Sequence, residues 1–166
     1  MSRTRKDPKS KQFLVIVIGG AIIATVVGVS FVMMTQATNS ENYIKSIQII
    51  SDQSRAFTQT YENSINEWYD GEISREEMLQ ITDNHLGNLN GLLSKLRGME
   101  PPEKFQLAHE LSILSLSHEL QSDRHMRNYI ETGNDDEYDS SVEFLQQAFD
   151  YETQAFEEFS RAGKST

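Results

Sequence analysis

Two His-Glu-Leu triplets, His109-Glu110-Leu111 and His118-Glu119-Leu120, stand nine residues apart in the segment HELSILSLSHEL. A histidine beside a carboxylate is the raw material of a metal site or an acid–base pair. On a helix, nine residues turn the chain by roughly 900°, half a turn beyond two full ones, so the two imidazoles point to opposite sides. They cannot share one ion. Ile113 and Ser122 stand where a second histidine would complete His-Glu-x-x-His, so a zinc-protease helix is absent. No Glu-x-x-His pair occurs either, which removes the signature of a di-iron carboxylate bundle.

His118 and His125 form a better pair. Seven residues apart, they share one helix face, in line with Leu111 and Leu114. With His85 from another helix, and Glu119 or Asp123 nearby, they are the residues able to hold a transition metal or to sense pH. Histidines outside a recognised spacing motif are more commonly half-buried residues bonded to their neighbours. The expectation is therefore no metal and no cofactor, with His85, His118 and His125 as the positions to test.

Other chemistry is poorly supplied. The run Asp135, Asp136, Glu137 and Asp139 lacks the glycine and distal glutamate of a calcium loop and reads as a helix start. Ser112, Ser115, Ser117 and Ser122 belong to no nucleophile motif and read as small packing or solvated positions. Phe57, Tyr61, Trp68, Tyr129, Phe149, Phe156 and Phe159 could line a cavity, but aromatics at helical spacing usually form core. The absence of cysteine excludes disulfides, thiolate zinc sites and thiol nucleophiles. There is no phosphate-cradling glycine loop, and the expectation is a protein that is not an enzyme.

These residues must be positioned by helices. In 41–69, Tyr43, Ile47, Ile50, Ser54, Phe57, Tyr61, Ser64 and Trp68 alternate spacings of four and three, the seam of a bundle helix, and Asp70-Gly71 breaks it. A second helix opens with Ser74 as cap, Glu77 reaching back and Ile73 stapling onto Met78. It carries Leu86, Leu89, Leu92, Leu93 and Leu96 to a stop at Gly98. After Pro101-Pro102 a third helix runs from about Glu103 to Ile130 and ends near Thr132-Gly133. The fourth opens with Asn134 as cap and buries Tyr138, Val142, Leu145, Phe149, Phe156 and Phe159. The spacing predicts an all-α fold, an antiparallel four-helix bundle over 41–162, with 163–166 as a disordered end.

The remainder decides location. Residues 13–34, FLVIVIGGAIIATVVGVSFVMM, are uncharged, and 22 residues of helix reach about 33 Å, enough to cross a bilayer core. Thr35-Gln36-Ala37 resembles a signal-cleavage site, but the apolar run exceeds the usual signal length, so an uncleaved single-pass anchor is expected. Residues 1–12 hold Arg3, Arg5, Lys6, Lys9 and Lys11 against Asp7, a charge of +4. That flank places this tail in the cytoplasm and sends the bundle outside the cell membrane, after a linker over 35–40. Gly20, Ala24 and Gly28 recur every four residues and would let two anchors pack. One anchor followed by a long helical bundle resembles, in architecture, the outer part of bacterial and archaeal sensory receptors.

From residue 40 onward 24 acidic residues face 10 basic ones, a net −14 that repels nucleic acid phosphates. Two functions remain. The first is a membrane-anchored, non-catalytic interaction or scaffold module, with lipid around 13–34 and a protein partner or self-association outside. The second is a small-ligand or metal sensor or carrier with a pocket between helices.

Overall fold

The computed structural model describes residues 38–164. These form α1 (Thr38–Asp70), α2 (Arg75–Arg97), a single 3-10 turn (Glu103–Phe105), α3 (Gln106–Thr132) and α4 (Asp135–Lys164), with no strand among the described residues. The expected tail, anchor and small-residue stripe at Gly20, Ala24 and Gly28 lie outside them. None of the described helices is long and apolar enough to cross a membrane.

The helix boundaries follow from local chemistry. The Ser74 hydroxyl accepts the Glu77 amide at 3.1 Å, and Asn134 Oδ1 accepts the Asp136 amide at 3.2 Å, as the capping pattern predicts. Gly133 closes α3 at φ 70°, where its amide reaches the Tyr129 carbonyl; the left-handed conformation disfavours a side chain there. Two boundaries depart from the expectation. α1 already includes Thr38 to Ser40, placed in the linker above, because neither glycine nor proline interrupts it and Glu41 suits its first turn. α4 includes Gly163 and Lys164, expected to be disordered, because Arg161 and Lys164 complement the helix C-terminus.

Side-chain pairs define the topology. Along α3 and α2 the partners run in opposite directions: Arg127 bonds Asp83, Asp123 bonds His85, and Arg97 bonds Ser117. Along α1 and α3 they run together, Tyr43 with His109, Thr58 with Glu119, and Trp68 with Tyr129. Ser115 bonds the Ala148 carbonyl, and Ser122 bonds Ser141, so α3 and α4 are antiparallel. The arrangement is up-down-up-down.

Three apolar clusters stack along the bundle. One end holds Tyr61, Ile65, Met78, Met126, Ile130 and Tyr138; the middle is leucine-rich, around Leu89, Leu92, Leu96, Leu116 and Leu120. Tyr43, Phe105, Ala108, Phe159 and Ala162 close the far end. α3 and α4 approach each other most closely, through small residues: Ala108, Ser115 and Ser122 on α3 recur every seven residues, as do Ser141, Ala148, Ala155 and Ala162 on α4. On α4 this small-residue stripe is fully buried. Of the six large residues expected on its buried face, Tyr138 and Phe159 are buried, while Val142, Leu145, Phe149 and Phe156 are half-buried beside the stripe.

Candidate functional site

Between the apolar clusters lies a layer of polar and ionisable groups drawn from all four helices, with Tyr61, Thr82, His85, Glu119 and Asp123 buried and Arg55, Thr58, Glu62 and Glu152 half-buried. α1 contributes Arg55, Thr58, Tyr61 and Glu62; α2 contributes Thr82 and His85; α3 contributes Glu119 and Asp123; and α4 contributes Glu152. Glu119 and Asp123 are one turn apart among Leu116, Leu120 and Met126, so the helix that builds the core also carries them into it. The buried His85 Nε2 donates to Asp123 Oδ2 at 3.1 Å, and the ring stacks on Tyr61 with centroids 4.2 Å apart. Thr58 donates to Glu119 Oε1 at 2.7 Å. The Tyr61 hydroxyl is buried without a well-formed hydrogen bond; Thr82, close by, donates its own to the Met78 carbonyl.

Burial dominates the electrostatics of this layer. It pushes Glu62 and Glu119 each up to about 7, and the charge of Asp123 adds to both. Burial, reinforced by Glu119, pushes Glu152 up to about 8 against the opposing pull of Arg55. Tyr61 is likewise driven upward by burial and by Asp123, so its phenol stays neutral. Such groups can hold, share and release protons near neutral pH. Among the described residues no three His, Asp or Glu side chains are placed to hold a metal ion.

The histidines separate into three environments. His109 is buried at the far end, where Tyr43 donates to its Nδ1 at 3.0 Å and burial lowers its basicity. His118 is on another side of α3, as their nine-residue spacing requires. His118 and His125 do share a face: both rings approach Phe144 of α4, at 5.9 and 5.2 Å, and His118 also approaches Tyr151 at 4.9 Å. His118 donates to the Leu114 carbonyl at 2.8 Å and His125 to Glu137 at 2.7 Å. The latter bond, with one from Asn128, holds the Glu137 carboxyl below its ordinary range. His85 is not part of this face. Around α3, His118 and His125 stand about 140° and 160° from Asp123, so the layer containing His85 lies on the far side of the helix.

This outer flank is the second notable feature. By helical spacing, Leu107 and Leu114 extend the line of His118 and His125, and these two leucines are 53% and 39% exposed. Exposed Glu110 on α3 and exposed Glu143 and Asp150 on α4 border it. The flank therefore pairs an apolar, aromatic and histidine stripe with an acidic margin.

The shared face of His118 and His125 was readable from spacing. The contributions of Arg55, Thr58, Glu62 and Glu152 to the buried layer were not. Their only signal is a charged residue beside a bundle seam, Glu62 next to Tyr61 and Glu152 between Phe149 and Phe156. Searches against protein-family models, curated proteins and solved structures find no match to this chain.

Proposed function

We propose that the protein is a membrane-tethered, non-catalytic docking module. In this reading residues 13–34 stay in the cell membrane, the basic tail remains in the cytoplasm, and the acidic bundle faces outward and engages a partner protein. The observation that carries it is the outer flank of α3 and α4, where Leu107 and Leu114 remain exposed beside His118, His125, Phe144 and Tyr151. Exposed large apolar side chains in line with aromatics favour burial against a second surface. The acidic margin, together with the net −14 from residue 40 onward, selects a partner segment that is basic around an apolar anchor and disfavours a second copy of the same bundle.

The test is affinity purification of the full-length chain from detergent-solubilised membranes, comparing wild type with Leu107→Glu/Leu114→Glu. The wild type should retain a partner that is released by raised salt, and the double variant should lose it with its melting temperature unchanged. Equal recovery by both would overturn the docking surface.

A second reading, a small-ligand or metal sensor, draws on one observation: the buried acidic layer with its poorly bonded Tyr61 hydroxyl. A thermal-shift screen of the full-length chain against metals and small metabolites separates the two, since a ligand specific to the native state raises the melting temperature.

A further inference from the structure

The buried layer has an unbalanced charge inventory. Among the described residues, four carboxyl groups, Glu62, Glu119, Asp123 and Glu152, face two groups able to carry positive charge, Arg55 and His85. Arg55 is itself divided, lying 3.8 Å from Asp52 on its own helix. The remaining members, Thr58, Tyr61 and Thr82, are neutral hydroxyls. With Glu119 and Asp123 buried and Glu62 and Glu152 half-buried, ionising all four would leave uncompensated charge withdrawn from water, an arrangement more costly than protonating some of them. The layer therefore has to retain protons to stay closed.

The helices bounding it are not held equally. α3 and α4 are joined by the interlocking small-residue stripe, whose backbones approach too closely for the pair to part readily. α1 packs closely only against α2 and reaches α3 and α4 through long side chains; two of its connections, Thr58 to Glu119 on α3 and Tyr61 over His85 on α2, lie within the layer itself. Repulsion within the layer acts on α1 first. α1 is also the helix that leads back toward the N-terminal apolar segment.

We propose that this layer is a proton-operated latch, in which protons held by Glu62, Glu119 and Glu152 keep α1 against the other three helices and their loss loosens it. The sign follows from linkage. The carboxyl groups of Glu62, Glu119 and Glu152 rise from 4.5 to about 7, 7 and 8 on folding, so the folded chain binds more protons between those limits. Stability contributed by the layer is therefore greatest at mildly acidic pH. It falls as pH rises through about 5 to 8, and it levels off above.

The experiment uses the full-length chain in detergent micelles, in wild-type form and as Glu62→Gln/Glu119→Gln/Glu152→Gln, with melting followed at pH 5.5 and 8.5. The wild type should melt at least about 5 °C lower at the higher pH, and the triple variant should lose most of that difference. Hydrogen exchange, corrected for its intrinsic pH dependence, should show α1 of the wild type losing protection at pH 8.5 while α3 and α4 keep theirs. A pH-independent wild type, an equal pH slope in the variant, or uniform loss of protection in all four helices would overturn the latch. If the triple variant does not fold, carboxyl-carbon NMR titration of the wild type decides: midpoints near 7 for the buried glutamates support it, and ordinary midpoints near 4.5 refute it.

Discussion

Thr58 donates to Glu119 at 2.7 Å between α1 and α3, and this bond, together with the nearby His85, acts against burial, Asp123 and Glu62 on that carboxyl. Burial and Asp123 favour its neutral form, whereas a donated hydroxyl favours the charged one. Thr58→Val keeps the shape and removes the donor, so its effect must depend on the protonation of Glu119. We expect a loss of about 1–2 kcal/mol at pH 8.5, where more of Glu119 is ionised, and a smaller loss at pH 5.5, measured by urea unfolding at both. An equal loss at the two pH values would mean that Glu119 does not titrate between them. The individual histidines are less demanding. His109 pairs with Tyr43 of α1 and His125 with Glu137 of α4, each through one hydrogen bond to a neighbouring helix.

At the scale of the elements, the molecule is a tight hairpin with two further helices laid against one flank. The hairpin depends on the absence of bulk at Ala108, Ser115 and Ser122 opposite Ser141, Ala148, Ala155 and Ala162. Ala148→Leu should force α3 and α4 apart and break the Ser115 bond to the Ala148 carbonyl, costing about 1–3 kcal/mol. Gln146→Leu, exposed on the same helix, should change stability by no more than about 0.5 kcal/mol. Comparable losses from both, in thermal or urea melts, would show that the small residues do not set the spacing. Caps, breaks and the leucine seam of α2 were legible in the sequence because each is a local rule: Ser74 before Glu77, Asn134 before Asp136, Gly133 ending α3. The small-residue stripe was harder to see, because hydrophobic periodicity draws the eye to Phe149 and Phe156 and passes over alanines and serines at the same seven-residue spacing. The buried layer was hardest, since its members are separated by up to 97 residues between Arg55 and Glu152 and become neighbours only once four helices are assembled.

The whole molecule combines an acidic bundle, an interior whose charge balance requires protons, and an outer flank that leaves apolar and aromatic side chains beside an acidic edge. These features act on different surfaces. The layer faces α1 and α2, the flank faces away from them, and α3 carries both on sides about 140° to 160° apart. A single helix thus connects the interior to the proposed docking surface, while the proposed anchor fixes the bundle at the membrane and limits the partners it can reach. The most direct measurement is site-specific photo-crosslinking in intact membranes with the full-length chain, placing the probe at Leu114 on the flank and, as a control, at exposed Asn88 on α2. The docking account predicts a discrete adduct to one partner from Leu114 that diminishes at high salt, with none from Asn88. No adduct from Leu114, or the same adducts from both positions, would contradict it.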